Sequence, residues 1–429
     1  MTTAATAKRG ILALGIGLLA LLAMGGVAVV LLLRPSANPA RLTSFDARDA
    51  VVYFDPLAVT NWLRAGGYLV SFDTLGDHSR FQTAGMAASS VSWTHHGLFF
   101  ADRDNDYLVT DGIVQVIPSP KASNQDGLVV LENGDWVGVY NAGADTEVVI
   151  TNTETADKSL VNIAVALVVA ACGNDVFAVY PDLDSPILLP GSDSNTLNLG
   201  LTRIVHNGNH DETLIAYQPP IFAETDFING TAPCVNNEVV YLSTALLAYG
   251  SSRDDYGGDV NHQAVVDSCL IQQNTTGLSG CATIERWNVV TGQRSVIALK
   301  DDTGLAVDLT SFSGPNNYSA DSLRGDELYW WHPDGLLLAT NIYSGSTRLI
   351  SEHEHLASER YQYLFDVVAN SAFVLMMPMD ATGTGITGLV KQISLPTGEL
   401  LAEYDYTNVD IGIGNNQIPW SFAVNPDFN

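Results

Sequence analysis

The sequence predicts an all-β ring of small antiparallel sheets carried behind one apolar span. Three observations predict it. A single uninterrupted apolar run lies near the N-terminus, a polar turn followed by a β-rich run recurs along the rest of the chain, and a second hairpin follows the first in several of those units. With 46% hydrophobic and 15% charged residues among 429, the chain can build a large core and is too apolar for disorder. The 47 acidic and 19 basic residues give a formal charge of -28. That field repels a phosphate backbone, so nucleic acid is not an expected partner.

The apolar run, Gly10 to Leu33, lies between Lys8-Arg9 and Arg34-Pro35. Roughly 20 apolar residues cross a bilayer core, whereas the apolar region of a cleaved signal peptide is usually about 7–15 residues. A retained span through the lipid bilayer is therefore expected over 10–33, behind a short cytoplasmic tail, 1–9. The paired cations of the tail favour a signal-anchor, with the C-terminal domain outside the cytoplasm. Arg34, Arg41 and Arg48 weigh the other way. Residues 34–49 read as a basic, Pro-containing stalk. The first 49 residues hold five of the 19 cations and two of the 47 anions, leaving 14 against 45 and a net of -31 for residues 50–429. An anionic bilayer repels such a domain and attracts its stalk, although acidity also serves plain solubility.

From residue 50 no amphipathic helix stands out. Instead, β-rich runs follow polar turns at His96-GLFFAD, Asn133-GDWVGVY, Gly173-NDVFAVY, Asn236-NEVVYLS, Gly325-DELYWW and Asn370-SAFVLMM. Their starts differ by 37, 40, 63, 89 and 45 residues, close to a period of about 40–50 with one long unit. The second hairpin is RWNVVTGQRSVIAL, ATNIYSGSTRLIS and KQISLPTGELLAEY, with VVITNTETADKSLV as a degenerate copy. Its glycine supplies the positive φ of a tight turn. One such unit cannot bury both faces of its sheet; radial stacking can.

This pattern resembles a β-propeller, and the strand-TG-strand hairpins resemble those of WD40 and quinoprotein-type repeats. DELYWWHPDGLLLATNIYSGSTRLIS is similar to the YWTD repeat, with Trp331-His332 in place of the usual Thr-Asp. WD signatures, tryptophan docking motifs and the S-x-D-x-G-x-T-W boxes of sialidases are missing, so the resemblance implies architecture and no family function. Six second strands fall near residues 97, 135, 175, 238, 327 and 372. The leftover ends, Tyr68–Gly85 and Ile418–Asn425, complement one another as a seventh sheet that closes the ring. Seven blades are expected, with six or eight as alternatives and a two-domain β-sandwich as the rival.

The largest departure from the repeat is an insertion at 250–280, between the second and third strands of its blade and so on the expected top face. Arg253, Asp254, Asp255, Tyr256, Asp259 and His262 are its candidate ligand-binding residues, and closely spaced carboxylates suit Ca²⁺. A solvated loop is the plainer reading, and no cofactor is expected. Asp102, Asp104 and Asp106 begin like a calcium loop, but Tyr107 and Ile113 stand where glycine and glutamate are required. A hairpin turn is expected there. His95-His96, His206 with His210, and His353 with His355 lack a third ligand at a telling spacing, so no metal is expected. Gly383–Gly388 reads as a hairpin connection, and the sequons at Asn229, Asn274 and Asn317 are no more than chance supplies. The chain has no G-x-S-x-G elbow, Walker loop or H-E-x-x-H helix, and no catalytic residue is assigned.

Four cysteines allow three connectivities. Cys269 and Cys281 bracket the end of the insertion; Cys172 and Cys234 precede equivalent strands of successive blades. Those two pairings are expected outside the cytoplasm. The function expected is a membrane-anchored binding or scaffold module for a protein or a cell-envelope ligand. Alternatives are a hydrolase, lyase or oxidoreductase acting in the central funnel, and a structural accessory subunit docked through its apolar helix.

Overall fold

The computed structural model describes residues 44–428 apart from 57–65, 87, 123, 164, 189–194, 219–223, 228–229, 247–263, 271–279, 308–316, 333, 354–360, 379–387 and 406–416. The span 10–33 lies outside the described residues, as does the stalk up to 43. Among those described, no helix is long and apolar enough to cross a membrane.

The strands form seven antiparallel sheets, which makes the fold a seven-bladed β-propeller. In six of the sheets the strands follow chain order from the axis outward. The recurring runs are the second strands: Gly97–Ala101, Trp136–Asn141, Asp175–Leu188, Glu238–Leu246, Glu327–His332 and Ser371–Pro378. They are apolar at nearly every position because neighbouring blades cover both of their faces, so period-two alternation is lost. Trp136, Trp330 and Trp331 on these strands are fully buried, as is Trp287 on a third strand. Outer strands meet solvent on one side and alternate, as in Leu400–Asp405 and Ala156–Val161.

The second hairpins join the third and fourth strands of their blades. Gly292, Gly345 and Gly398 at their turns have φ of 71°, 72° and 71°. Each turn also tucks against the outer strand of the preceding blade. A Cβ at Gly345 would collide with the Ala298 carbonyl, and one at Gly398 with that of Ile350. Glycine here serves both the turn and the stacking.

The seventh sheet closes the ring as the complementary ends require, with one difference. The C-terminal strand Gln417–Val424 is innermost, but it pairs with Ala50–Pro56, and Tyr68–Phe72 and His78–Gln82 lie farther out. The sequence pattern omits Ala50–Pro56 because Val51, Val52, Tyr53 and Phe54 are buried on both faces, so the run neither alternates nor follows a polar turn. The folded domain also reaches back to Ser44. Phe45 is buried against Phe81, and Arg48 pairs with Asp73 at 2.5 Å.

Side chains cross-link the innermost strands around the axis. The Val91 amide donates to Ser421 Oγ, the Ser90 amide to Gln125 Oε1, the Ala166 amide to Asp126 and the Val424 amide to Asp366. Farther out, Asp55 accepts the amides of Met86 and Ser89. Polar side chains thus satisfy backbone groups that these crossovers would otherwise bury unpaired.

Candidate functional site: the axial channel

Around the axis the blades leave an open cavity of about 780 Å³, lined by residues from every blade. A second space of about 480 Å³ continues from it, sharing Trp93, Thr94, Val130, Asp321 and Asp366, and adds His95, His96, Glu132 and Arg324 at its mouth. Together they form a channel along the axis.

With the closing sheet counted as the first blade and the others in chain order, blade five, whose second strand is Glu238–Leu246, shapes one wall in an unusual way. Its inner strand is broken into three pieces. Glu224–Phe227 and Cys234–Val235 pair with the second strand of their own blade. Gly230–Thr231 between them defects to run parallel to Val168–Cys172 of blade four. The Cys172–Cys234 disulfide, with a Cα separation of 5.4 Å, pins that detour beside the channel. Cys269 and Cys281 form the other disulfide, so both expected pairings are present.

Non-reducing peptide mapping should recover these two linkages and no free thiol. In the chain-entropy model, reducing the Cys172–Cys234 link across its 62-residue separation should cost about 4 kcal/mol. An unfolding midpoint unchanged by reduction would contradict this.

Among the described residues three carboxyls line the main cavity. Asp126 is 4% exposed. Its Oδ2 accepts the Ala166 amide at 3.1 Å, and burial pushes its pKa up to about 7. Asp366 is pushed up to about 6 by burial and by neighbouring Asp321, against hydrogen bonds from the amides of Val424 and Val367 and the Ser319 hydroxyl. Asp321 is open to channel solvent but enclosed by protein on most sides. Burial raises it, and Arg324 opposes the shift. Half-buried Trp93 and Trp420 line the same cavity, as does buried Tyr318.

The chemistry of these groups differs. Both oxygens of Asp366 are held by backbone amides, which makes it a clasp between blade seven and the C-terminal strand. Asp126 keeps Oδ1 free of any protein hydrogen bond among the described residues, so it can hold a proton or a positive charge. Also among the described residues, no group of three histidine, cysteine or acidic side chains converges as a metal site would require.

The structure treats the other candidates differently. Arg253, Asp254, Asp255, Tyr256, Asp259 and His262 lie outside the described residues. The described end of the insertion, a helix at 264–270, packs Val265, Val266 and Cys269 on Val296 and Ala298 of the blade's outer strand. At that end the insertion leans towards the rim, not over the axis. Its helix is too short to carry a legible apolar period in the sequence.

Asp102 serves a turn. Its carboxylate accepts the amides of Ala84, Asp104 and Asn105 and the Tyr107 hydroxyl, while Asp106 pairs with fully buried Lys121 at 2.9 Å. His206 and His210 turn to separate carboxylates, Asp175 and Asp157, and His353 stacks on Trp331. His355, residues 383–387, Asn229 and Asn274 lie outside the described residues. Asn317 is 3% exposed. The channel residues were missed in the sequence pattern, although a signal exists. A lone aspartate interrupts the buried runs QDGLVV and YLFDVV, where a carboxylate needs a specific partner or a specific use.

No family model matches this sequence, and no curated protein matches it. Among solved structures, the chain is similar to apo AztD from Citrobacter koseri, at 11% identity and a TM-score of 0.41 over 87% of this chain and 98% of that one. It is also similar to the β-propeller domain of the Trilobed protease from Pyrococcus furiosus, at 10% identity and a TM-score of 0.44 over 82% and 97%. A third similar structure is the parainfluenza virus 5 hemagglutinin-neuraminidase, at 8% identity and a TM-score of 0.39 over 71% and 83%. At this distance no residue or activity transfers, and the seven-bladed propeller rests on this chain's own sheet order.

Proposed function

We propose that this chain is a membrane-anchored, extracytoplasmic binding module that takes a protein or cell-envelope ligand at its axial channel. The observation that carries the reading is the channel itself. Its volume falls in the range of ligand pockets, about 300–1,000 Å³, and its walls are rigid inner strands cross-linked around the ring. Two disulfides suit an oxidising compartment, and the apolar run 10–33 suits a single span facing it. A second reading, an enzyme working in the same channel, draws on Asp126, whose carboxyl titrates near neutrality. Among the described residues no serine, threonine or cysteine hydrogen-bonded to a histidine ring lines the channel, so binding is the better-supported role.

The test is a channel-filling substitution, Ser90→Trp, at a lining position. Envelope fractions containing the ligand should raise the melting temperature of the wild type and leave the variant unmoved. A ligand at a hundredfold excess over Kd stabilises by about 2.7 kcal/mol. Equal stabilisation of both proteins would place the ligand elsewhere and refute the channel reading.

A further inference from the structure

We infer that the channel is a seat for a protonated amine, held by Asp126 and Asp321 with the indoles of Trp93 and Trp420 on the surrounding wall. The inference rests on the channel reading above and adds the chemistry of the ligand. Charge leads to it first. Among the described residues the channel is lined by four carboxyls, Asp126, Asp321, Asp366 and Glu132, against one permanent cation, Arg324, which acts on Asp321 and not on Asp126. Concave, low-dielectric walls focus such a field towards the axis.

The second observation is independent of that count. Asp126 is more than nine-tenths buried, yet a single amide is the only described group that bonds its carboxyl, and no cation contributes to its titration. A buried carboxylate without a counter-ion is costly unless something else supplies the charge. Elsewhere the buried acids meet either a cation or several donors: Asp55, Asp102 and Asp366 each accept two or more described hydrogen bonds. Lys121 meets Asp106, and Arg294 meets Glu285 at 2.7 Å. Asp126 is left open on the side that faces the cavity.

The groups around Asp126 leave that place to a ligand. The flanking inner strands, Val91–Thr94 and Val168–Cys172, bring no titratable side chain apart from Cys172, which is locked in its disulfide. The next strand of its own blade brings Tyr140, whose hydroxyl already accepts from Gln125. Among the described residues, the remaining titratable groups of the channel are Tyr318, Asp366, Glu132, His95 and His96. None of them is a permanent cation. Tryptophan faces are the best aromatic partners for an ammonium group, whereas an anion gains nothing from such a wall. A neutral sugar would accept the indoles and leave the charge of Asp126 uncompensated.

A protonated amine can come from a free polyamine or from a lysine side chain of a partner, and titration calorimetry on the full chain in detergent separates the two. The probes are spermidine, a lysine-rich peptide, maltotriose and citrate. At pH 8 spermidine or the peptide should bind, and whichever binds more tightly identifies the source. Affinity should fall about tenfold or more at pH 5.5, where Asp126 is protonated and the amine is not affected. Asp126→Asn and Asp321→Asn should each weaken binding by about tenfold. Asp126→Asn keeps an oxygen for the Ala166 amide, so its melting temperature reports on folding separately.

Amine binding that ignores pH and both substitutions would overturn the inference. So would tight binding of maltotriose or citrate with no amine binding, although the channel reading would then stand. If no probe of any charge bound, and Ser90→Trp also failed to block the envelope ligand, both readings would fall.

Discussion

A chain ending at residue 416 is expected to lose the whole ring, not one blade. Gln417–Val424 supplies the innermost strand of the closing sheet and pairs along the length of Ala50–Pro56. Its loss removes the buried Phe422, Ala423 and Val424 and exposes the apolar surface they cover on Val51, Val52, Tyr53 and Phe54. Burying one large apolar side chain contributes about 1.5–3 kcal/mol. The Asp366 carboxylate would also lose the Val424 amide, and the Val91 amide would lose Ser421. The sum is comparable with the whole stability of an ordinary domain, about 5–15 kcal/mol. Circular dichroism and thermal unfolding decide the matter. A truncated chain with an unchanged midpoint would show that the ring does not depend on closure, whereas rescue by a synthetic 417–429 peptide would show that it does.

Stability should also fall as pH rises from about 4.5 to 8. Burial raises Asp55 to about 7, Asp126 to about 7 and Asp366 to about 6, whereas the unfolded chain titrates at the ordinary aspartate value. Between the two values the folded state holds more protons, so each group's contribution is present below the unfolded pKa and lost as pH rises through the folded one. Each such group removes up to about 1.4 kcal/mol per pH unit inside its window, on the order of several kcal/mol for the three.

Glu327, held low by Arg348, acts in the opposite direction and only at more acid pH. The melting temperature should therefore be higher at pH 5 than at pH 8, and Asp126→Asn and Asp366→Asn should flatten the difference. A midpoint that rises between pH 5 and pH 8 would refute the assignment. Saturating amine at pH 8 should recover part of the loss, which links this slope to the proposed ligand.

The amino-acid sequence by itself determined the blade unit. Runs such as LFFA and LYWW had to be buried on both faces, and turns such as Thr291-Gly292 and Ser344-Gly345 could close only with a left-handed residue. Radial stacking followed, as did the count of seven and the pairing of the cysteines, because these depend on local pattern and spacing. Closure was legible as complementary ends, but the partner of the C-terminal strand was not. Ala50–Pro56 is buried on both sides and carries no periodic mark.

The channel was decided only by tertiary structure. Asp126, Asp321, Asp366, Trp93 and Trp420 come from five different blades, and nothing in their sequence spacing relates one to another. Seven sheets packed around an axis bring their inner edges together and leave a space between them, which turns isolated aspartates in apolar runs into one acidic wall. Burial then shifts their titration, and it depends on which blades surround each group, a relation set by the closed ring and not by any segment of the chain.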